Sequence, residues 1–155
     1  MNLTKVTTIF ALMMFVTLVF MQAQEKKIKR SDLPAAVEKT VAEQSKGATI
    51  KGFDSEVENG KKIYEAEMTV NGHGKDISMD EKGNIIEIEE EVAIASLPPA
   101  VKEGLTKAAG KGTIEKVEAL TKKGKLVAYE AQVKTGTKKS EVQVGPDGKK
   151  LDHEE

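Results

Sequence analysis

From Leu33 the apolar residues recur at a helical interval. Leu33, Val37 and Val41 stand four apart, which stacks them on one face of a helix running to about Lys46, with Ala36 and Thr40 beside them. Glu38, Lys39 and Glu43 fall outside. Ser31 or Asp32 is placed to cap this helix, and Pro34 fits its first turn, where backbone N–H groups have no intrahelical partner. Gly47 is placed to end it. From Thr49 onwards the interval becomes two. Ile50, Phe53 and Val57 mark a strand, and Gly52 within a broken alternation predicts a bulge. Asn59 and Gly60 tolerate positive φ and so make a two-residue hairpin turn. In the next strand Tyr64, Ala66, Met68 and Val70 face one way, while Glu65, Glu67 and Thr69 face the other. Beyond a turn over residues 71–74, Ile77 and Met79 alternate with Asp76, Ser78 and Asp80. Beyond Gly83, Ile86 and Ile88 are expected on one side, with Ile85, Glu87 and Glu89 on the other.

The whole pattern then starts again. Ile63, Tyr64, Glu65, Ala66, Glu67, Met68 returns 65 positions later as Ala128, Tyr129, Glu130, Ala131, Gln132, Val133. Leu97, Val101 and Leu105 repeat the helical spacing of Leu33, Val37 and Val41; Ile114 and Val117 answer Ile50 and Phe53; Val142 and Val144 answer Ile77 and Met79. Gly104 lies inside the second helix at a cost of about 1 kcal/mol relative to Ala. The expected fold class is therefore α+β: two tandem repeats, each a helix packed on its own antiparallel sheet of about four strands. The repeats span residues 33–92 and 97–155, preceded by a polar leader over 24–32.

Each copy holds about 60 residues, a size that buries little of its own surface, so the two are expected to lean on each other. The chain of 155 residues contains no Cys and no Trp. Disulfides, thiolate metal sites and a lipid-anchoring cysteine are thereby excluded, and stability has to come from packing.

The first 23 residues are read as a secretory signal peptide. Lys5 precedes an uncharged, largely apolar run from Val6 to Met21, shorter than a bilayer span, with cleavage expected after Ala23. The alternative is retention of this run as an N-terminal anchor, because Met21 is large for its place before the cut. The expected location is periplasmic or secreted, with no membrane association after cleavage.

Leu33, Pro34, Gly60, Lys61, Tyr64, Glu65, Ala66, Asp80, Gly83, Ile85 and Ile86 in the first copy form a pattern that resembles the PepSY-like family. In the second copy it is carried by Leu97, Pro98, Gly124, Lys125, Tyr129, Glu130, Ala131, Asp147, Gly148 and Leu151. The Asp-x-x-Gly turn is displaced there, with Pro146 and Asp147 preceding Gly148. Proteins of this family look like tandem modules related to beta-lactamase inhibitor protein and to propeptides of thermolysin-like peptidases. The resemblance implies an exported module that binds protein, an extracytoplasmic peptidase or hydrolase being the expected partner, and that could inhibit it.

Candidate chemistry is sparse. The two histidines, His73 between glycines in a turn and His153 near the chain end, lack a positioned nucleophile, so no catalytic residue, no cofactor and no metal is expected. Tyr64 and Tyr129 are read as packing residues. Glu65, Glu67, Asp76, Glu87 and Glu89 alternate with core positions and are expected to gather on the sheet face opposite the helix. Such a face is either a plain solvated surface or a docking site for a basic patch of a partner. Residues 33–92 carry 14 acids and 7 bases, residues 97–155 carry 9 acids and 12 bases. The halves could thus attract each other or meet different surfaces of one partner. The lysines are scattered and stacking aromatics are few, which argues against nucleic acid. Two other functions stay open: a small-ligand or cation-binding sensor using the carboxylates or His153, and a structural envelope protein.

Overall fold

Residues 25–151, 153 and 155 are described by a computed structural model, so the expected signal segment, Asp152 and Glu154 lie outside the described residues. The chain order is β1 (Lys26–Lys27), a 3₁₀ turn (Arg30–Asp32), α1 (Ala35–Gln44), β2 (Ala48–Glu58), β3 (Lys61–Val70), β4 (His73–Asp80) and β5 (Ile85–Glu91). A second 3₁₀ turn (Ile94–Ser96), α2 (Pro99–Ala109), β6 (Thr113–Lys122), β7 (Lys125–Thr135) and β8 (Lys138–Val144) follow.

All eight strands form one antiparallel sheet in the order β1 to β8. This corrects the expectation of two repeats that each own a four-stranded sheet. The strand responsible is β5, which pairs with β4 and also, from Glu87↔Lys122 to Glu91↔Glu118, with β6. A sheet ending at β5 would expose a row of unpaired N–H and C=O groups, and continuation into β6 satisfies them. The residues before α1 also contribute: Lys26 and Lys27 pair with Ser55 and Asp54 on the outer edge of β2. Asp32 does not cap α1; its carboxylate accepts the Lys29 N–H at 3.0 Å and closes the 3₁₀ turn instead.

Both helices lie on the same face. Ile88 of β5 packs into the core under α1, with Val37, Val41, Tyr64, Ala66, Met68, Ile77 and Met79. Val92, four residues on, packs into the core under α2, with Val101, Leu105, Val117, Ala131 and Val144. Residues four apart in extended chain share a face. Among the described residues the opposite face of the sheet carries no helix.

Register shifts adjust the alternation at four places, two of them between β6 and β7 (Ile114/Lys116 and Leu120/Thr121) and two in the first copy. The first of the latter falls between Ile50 and Gly52, where the sequence predicts it. The second opposes Ser78 to Glu87 but Met79 to Ile85, so that Ile85 joins Ile88 against the α1 core. Ile85, expected beside Glu87 and Glu89, is thereby turned to the helix side, while the carboxylates keep theirs.

The turns after β4 and β8 lock each helix to the sheet. Asp80 accepts the backbone N–H groups of Lys82 and Asn84, both at 2.9 Å, and shapes the turn that carries Gly83 onto α1. There the Thr40 hydroxyl donates to the Gly83 carbonyl at 2.7 Å. Asp147 likewise accepts the Lys149 N–H at 3.1 Å and heads the turn that lays Gly148 against α2. The displaced motif of the second copy thus reaches the same place. Thr40→Val is expected to cost about 1 kcal/mol in urea unfolding, because it leaves that carbonyl without its donor.

Candidate functional site

The bare face of the sheet collects carboxylates because β2 to β7 each turn alternate polar residues toward it. Cross-strand register arranges them in rows. Asp54, Glu65, Ser78, Glu87 and Lys122 stand opposite one another from β2 to β6. In the next row Glu67 faces Asp76, Asp76 faces Glu89, and Glu89 faces Leu120. A third row runs from Glu91 through Glu118 and Glu130 to Gln143, whose amide donates to Glu130 at 2.7 Å. The five residues singled out in the sequence, Glu65, Glu67, Asp76, Glu87 and Glu89, therefore share two adjacent rows over β3, β4 and β5.

Three lysines answer them from the margins. Lys27 on β1 reaches both Asp54 and Glu67 at 2.8 Å. Lys116 contacts Glu118 directly, and Lys122 stands 3.7 Å from Glu87 and 3.9 Å from Glu155. Asp54 and Glu118 are only 3% exposed, although both are acids.

The middle of the strip is electrostatically strained. Burial pushes the Glu65 carboxyl up to about 7, with Asp76, Glu25, Asp54 and Glu67 adding repulsion. Glu89 is pushed up to about 8, again chiefly by burial, then by Glu118, Glu87, Glu130 and Glu65. Asp76 is raised by burial and by Glu118, against the pull of Lys116. Glu87 is raised by burial, against the pull of Lys122. Near neutral pH Glu65 and Glu89 are thus partly protonated, so the middle of the strip is not a uniform sheet of charge.

Carboxylate oxygens of Asp76, Glu89 and Glu118 come within 4.8 Å of one another. Oxygen donors of this kind suit hard cations, yet Lys116 already supplies a positive charge to Glu118. His73 is exposed at the start of β4, and His153 lies 3.9 Å from Glu155. Tyr64 is 4% exposed in the α1 core and Tyr129 packs against the α2 core. A shallow groove beside α2, lined by Gly104, Lys107, Gly148, Lys149 and Lys150, gathers no nucleophile with a base.

Sequence reasoning missed Asp54, Glu118, Glu130 and the three lysines. Glu130 was within reach, since it occupies the place of Glu65 in the repeated Tyr-Glu-Ala stretch. Asp54 lies beyond the β2 bulge, which shifts the alternation, and Glu118 joins the strip only because β6 pairs with β5.

Comparison with known proteins gives a consistent picture of fold. The model of a family of beta-lactamase-inhibitor-like, PepSY-like proteins matches residues 19–87 and again 62–149. No curated protein sequence matches. Among solved structures, a BLIP-like protein from Bacteroides fragilis is similar at 23% identity and a TM-score of 0.55, over 75% of this chain and 81% of that one. A DUF2874 family protein from Bacteroides ovatus is similar at 17% identity and 0.60, over 77% and 84%. A protein from Bacteroides eggerthii described as periplasmic is similar at 15% identity and 0.62, over 77% and 86%. Among the described residues no helix is long and apolar enough to cross a membrane.

Proposed function

The chain belongs to the beta-lactamase-inhibitor-like, PepSY-like family, and from that premise we propose that it is a non-enzymatic protein-binding module of the periplasm or the exterior. Its residues 1–23 act as the export signal, and its open carboxylate face is the binding surface. Glu65, Glu67, Asp76, Glu87 and Glu89 meet a basic patch of an exported peptidase or hydrolase, whose activity the contact blocks. One observation carries the reading. Among the described residues two helices cover one face of an eight-stranded sheet and leave the other bare, and that bare face holds half-buried acids in register. A solvated surface has no need to hold carboxyls so far above their ordinary range. Complementary charge on a partner would raise the association rate and fix orientation.

The test is affinity capture from envelope and medium with the wild-type protein and with Glu65→Lys/Glu67→Lys/Glu87→Lys as baits. The wild type is expected to recover one exported peptidase or hydrolase saturably, and the variant to recover at least tenfold less. Equal recovery by both baits would remove this face from the reading. Recovery of nothing but the bait itself would remove the binding function.

A further inference from the structure

The two repeats stay in step through their last turn and then part. In the first, the Asp80 N–H donates to the Asn84 carbonyl at 3.0 Å and the Gly83 N–H to the Asp80 carbonyl at 2.9 Å. In the second, 65 positions on, the Gly145 N–H donates to the Lys149 carbonyl and the Gly148 N–H to the Gly145 carbonyl, both at 2.8 Å. Val144 then meets Lys150 in a single antiparallel bridge, the counterpart of Met79 with Ile85. Beyond this point β5 goes on pairing with β4 as far as Glu90. The residues after Lys150 instead leave β8: the Glu155 N–H donates to the Gln143 side chain, and its carboxylate stands 3.9 Å from Lys122 of β6. Among the described residues nothing pairs with the outer edge of β8 beyond that bridge.

The place that β5 fills in the first repeat is thus open in the second. Ile77, which faces Ile88 of β5, is buried, but its counterpart Val142 is left partly exposed. Beside Val144, between α2 and the turn over Asp147–Lys150, runs a groove of about 570 Å³, a size found in binding clefts. Lys138, Lys139, Ser140 and Glu141 are exposed, and an edge strand of this kind presents a row of unpaired N–H and C=O groups. A strand laid along it would satisfy those groups through main-chain hydrogen bonds and cover Val142.

Charge selects the occupant. Lys138 and Lys139 stand on β8 itself, and Lys107, Lys149 and Lys150 line the groove, all exposed. Their counterparts in the first repeat are His73, Gly74, Glu43, Asn84 and Ile85. The acids nearby are Glu103, Glu141, Asp147, which Lys149 holds at 3.0 Å, and Glu115, 4.0 Å from Lys139. Lysines on an edge work against its pairing with the same edge of a second copy. They favour a strand of opposite charge, and β5 shows such a strand in place. It reads Ile-Ile-Glu-Ile-Glu-Glu-Glu, turns Ile85 and Ile88 toward the α1 core, and brings Glu90 to 4.0 Å from Lys75 of β4. We propose that the outer edge of β8 accepts an added antiparallel strand from a protein partner, an acidic extended segment with an aliphatic residue seated against Val142. This edge is separate from the carboxylate face, and the proposal does not rest on that reading.

The probe is a fluorescein-labelled, amidated peptide of residues 84–92, Asn-Ile-Ile-Glu-Ile-Glu-Glu-Glu-Val, titrated into the purified protein and followed by anisotropy. Backbone hydrogen exchange of the same mixture is read by mass spectrometry. Saturable binding is expected, with exchange slowed over residues 138–143. Lys138→Glu/Lys139→Glu is expected to weaken binding about tenfold, and Lys39→Glu/Lys46→Glu, on and beside α1, to leave it unchanged. Circular dichroism of both variants checks that the fold is kept. Absence of binding at millimolar peptide, slowed exchange confined to other segments, or equal binding by the Lys138→Glu/Lys139→Glu variant would each overturn the proposal. Exchange over 138–143 that slows with protein concentration in the absence of peptide would make a second copy the occupant and overturn the choice of partner. The capture experiment with Glu65→Lys/Glu67→Lys/Glu87→Lys reads a different face, so the two proposals fail separately.

Discussion

Gly148→Ala is expected to lower the unfolding free energy by about 3 kcal/mol, and Gly104→Ala by about 2 kcal/mol, in equilibrium urea denaturation. At Gly148 two penalties combine. The residue has φ +78°, which an L side chain adopts at a cost, and a methyl group there would collide with the Ala100 carbonyl and the Val101 amide of α2. Gly104 is the other half of the same contact. A Cβ on it would strike the Gly148 carbonyl, so the helix and the turn touch backbone to backbone. Alanine at 104 would gain about 1 kcal/mol of helix propensity, and the collision outweighs it. If Gly104→Ala stabilised the protein instead, the docking of the last turn on α2 would be wrong.

Stability is also expected to fall by about 4 kcal/mol between pH 5 and pH 9, roughly 2 kcal/mol from each of Glu65 and Glu89 after a discount for their partial exposure. The direction follows from where the protons sit. Both carboxyls have ordinary values of 4.5 and are raised in the folded chain, to about 7 and about 8. Below pH 4 they are protonated in both states and contribute nothing. Between about pH 5 and pH 8 the folded chain keeps protons that the unfolded chain has shed, so rising pH favours unfolding. Above about pH 9 both are ionised and the loss is complete. Asp76 and Glu87, also raised, act in the same sense. Glu65→Gln/Glu89→Gln is expected to flatten most of this slope and to be the more stable protein at pH 9, as read from urea midpoints at each pH. A wild-type stability that stays level from pH 5 to pH 9 would contradict the crowding of the strip.

Much of this was legible from residue order. The four-residue spacing of Leu33, Val37 and Val41 and of Leu97, Val101 and Leu105 located both helices, with Val37, Val41, Val101 and Leu105 buried as that spacing requires. Alternation in β3 and β4 assigned Glu65, Glu67 and Asp76 to the face away from the helix, since each is opposed across the sheet by another polar residue of that face. Long-range pairing was not legible. Nothing local to Glu87–Glu91 says whether that strand closes one sheet or bridges into the next, and the answer depends on β6, whose paired residues lie about 30 positions on. The same limit hid Glu118. Bulges were a second obstacle, because one extra residue near Ile85 turned an expected solvent-side residue inward. The close contact of Gly104 with Gly148 was also out of reach: in the sequence Gly104 reads as a weak point of its helix, and only the turn 44 residues later explains it.

The most direct test of the bare sheet face as the working surface is carboxyl footprinting. The protein is labelled with a water-soluble carbodiimide and an amine, alone and saturated with its captured partner, and modification at each acid is read by mass spectrometry. Protection is expected at Glu65, Glu67, Glu87 and Glu89, with Glu43 and Glu103, exposed on the helix side, labelled equally in both samples. Protection confined to Glu43 and Glu103, with the four sheet carboxyls still labelled, would place the partner on the helices and contradict the assignment of the carboxylate face.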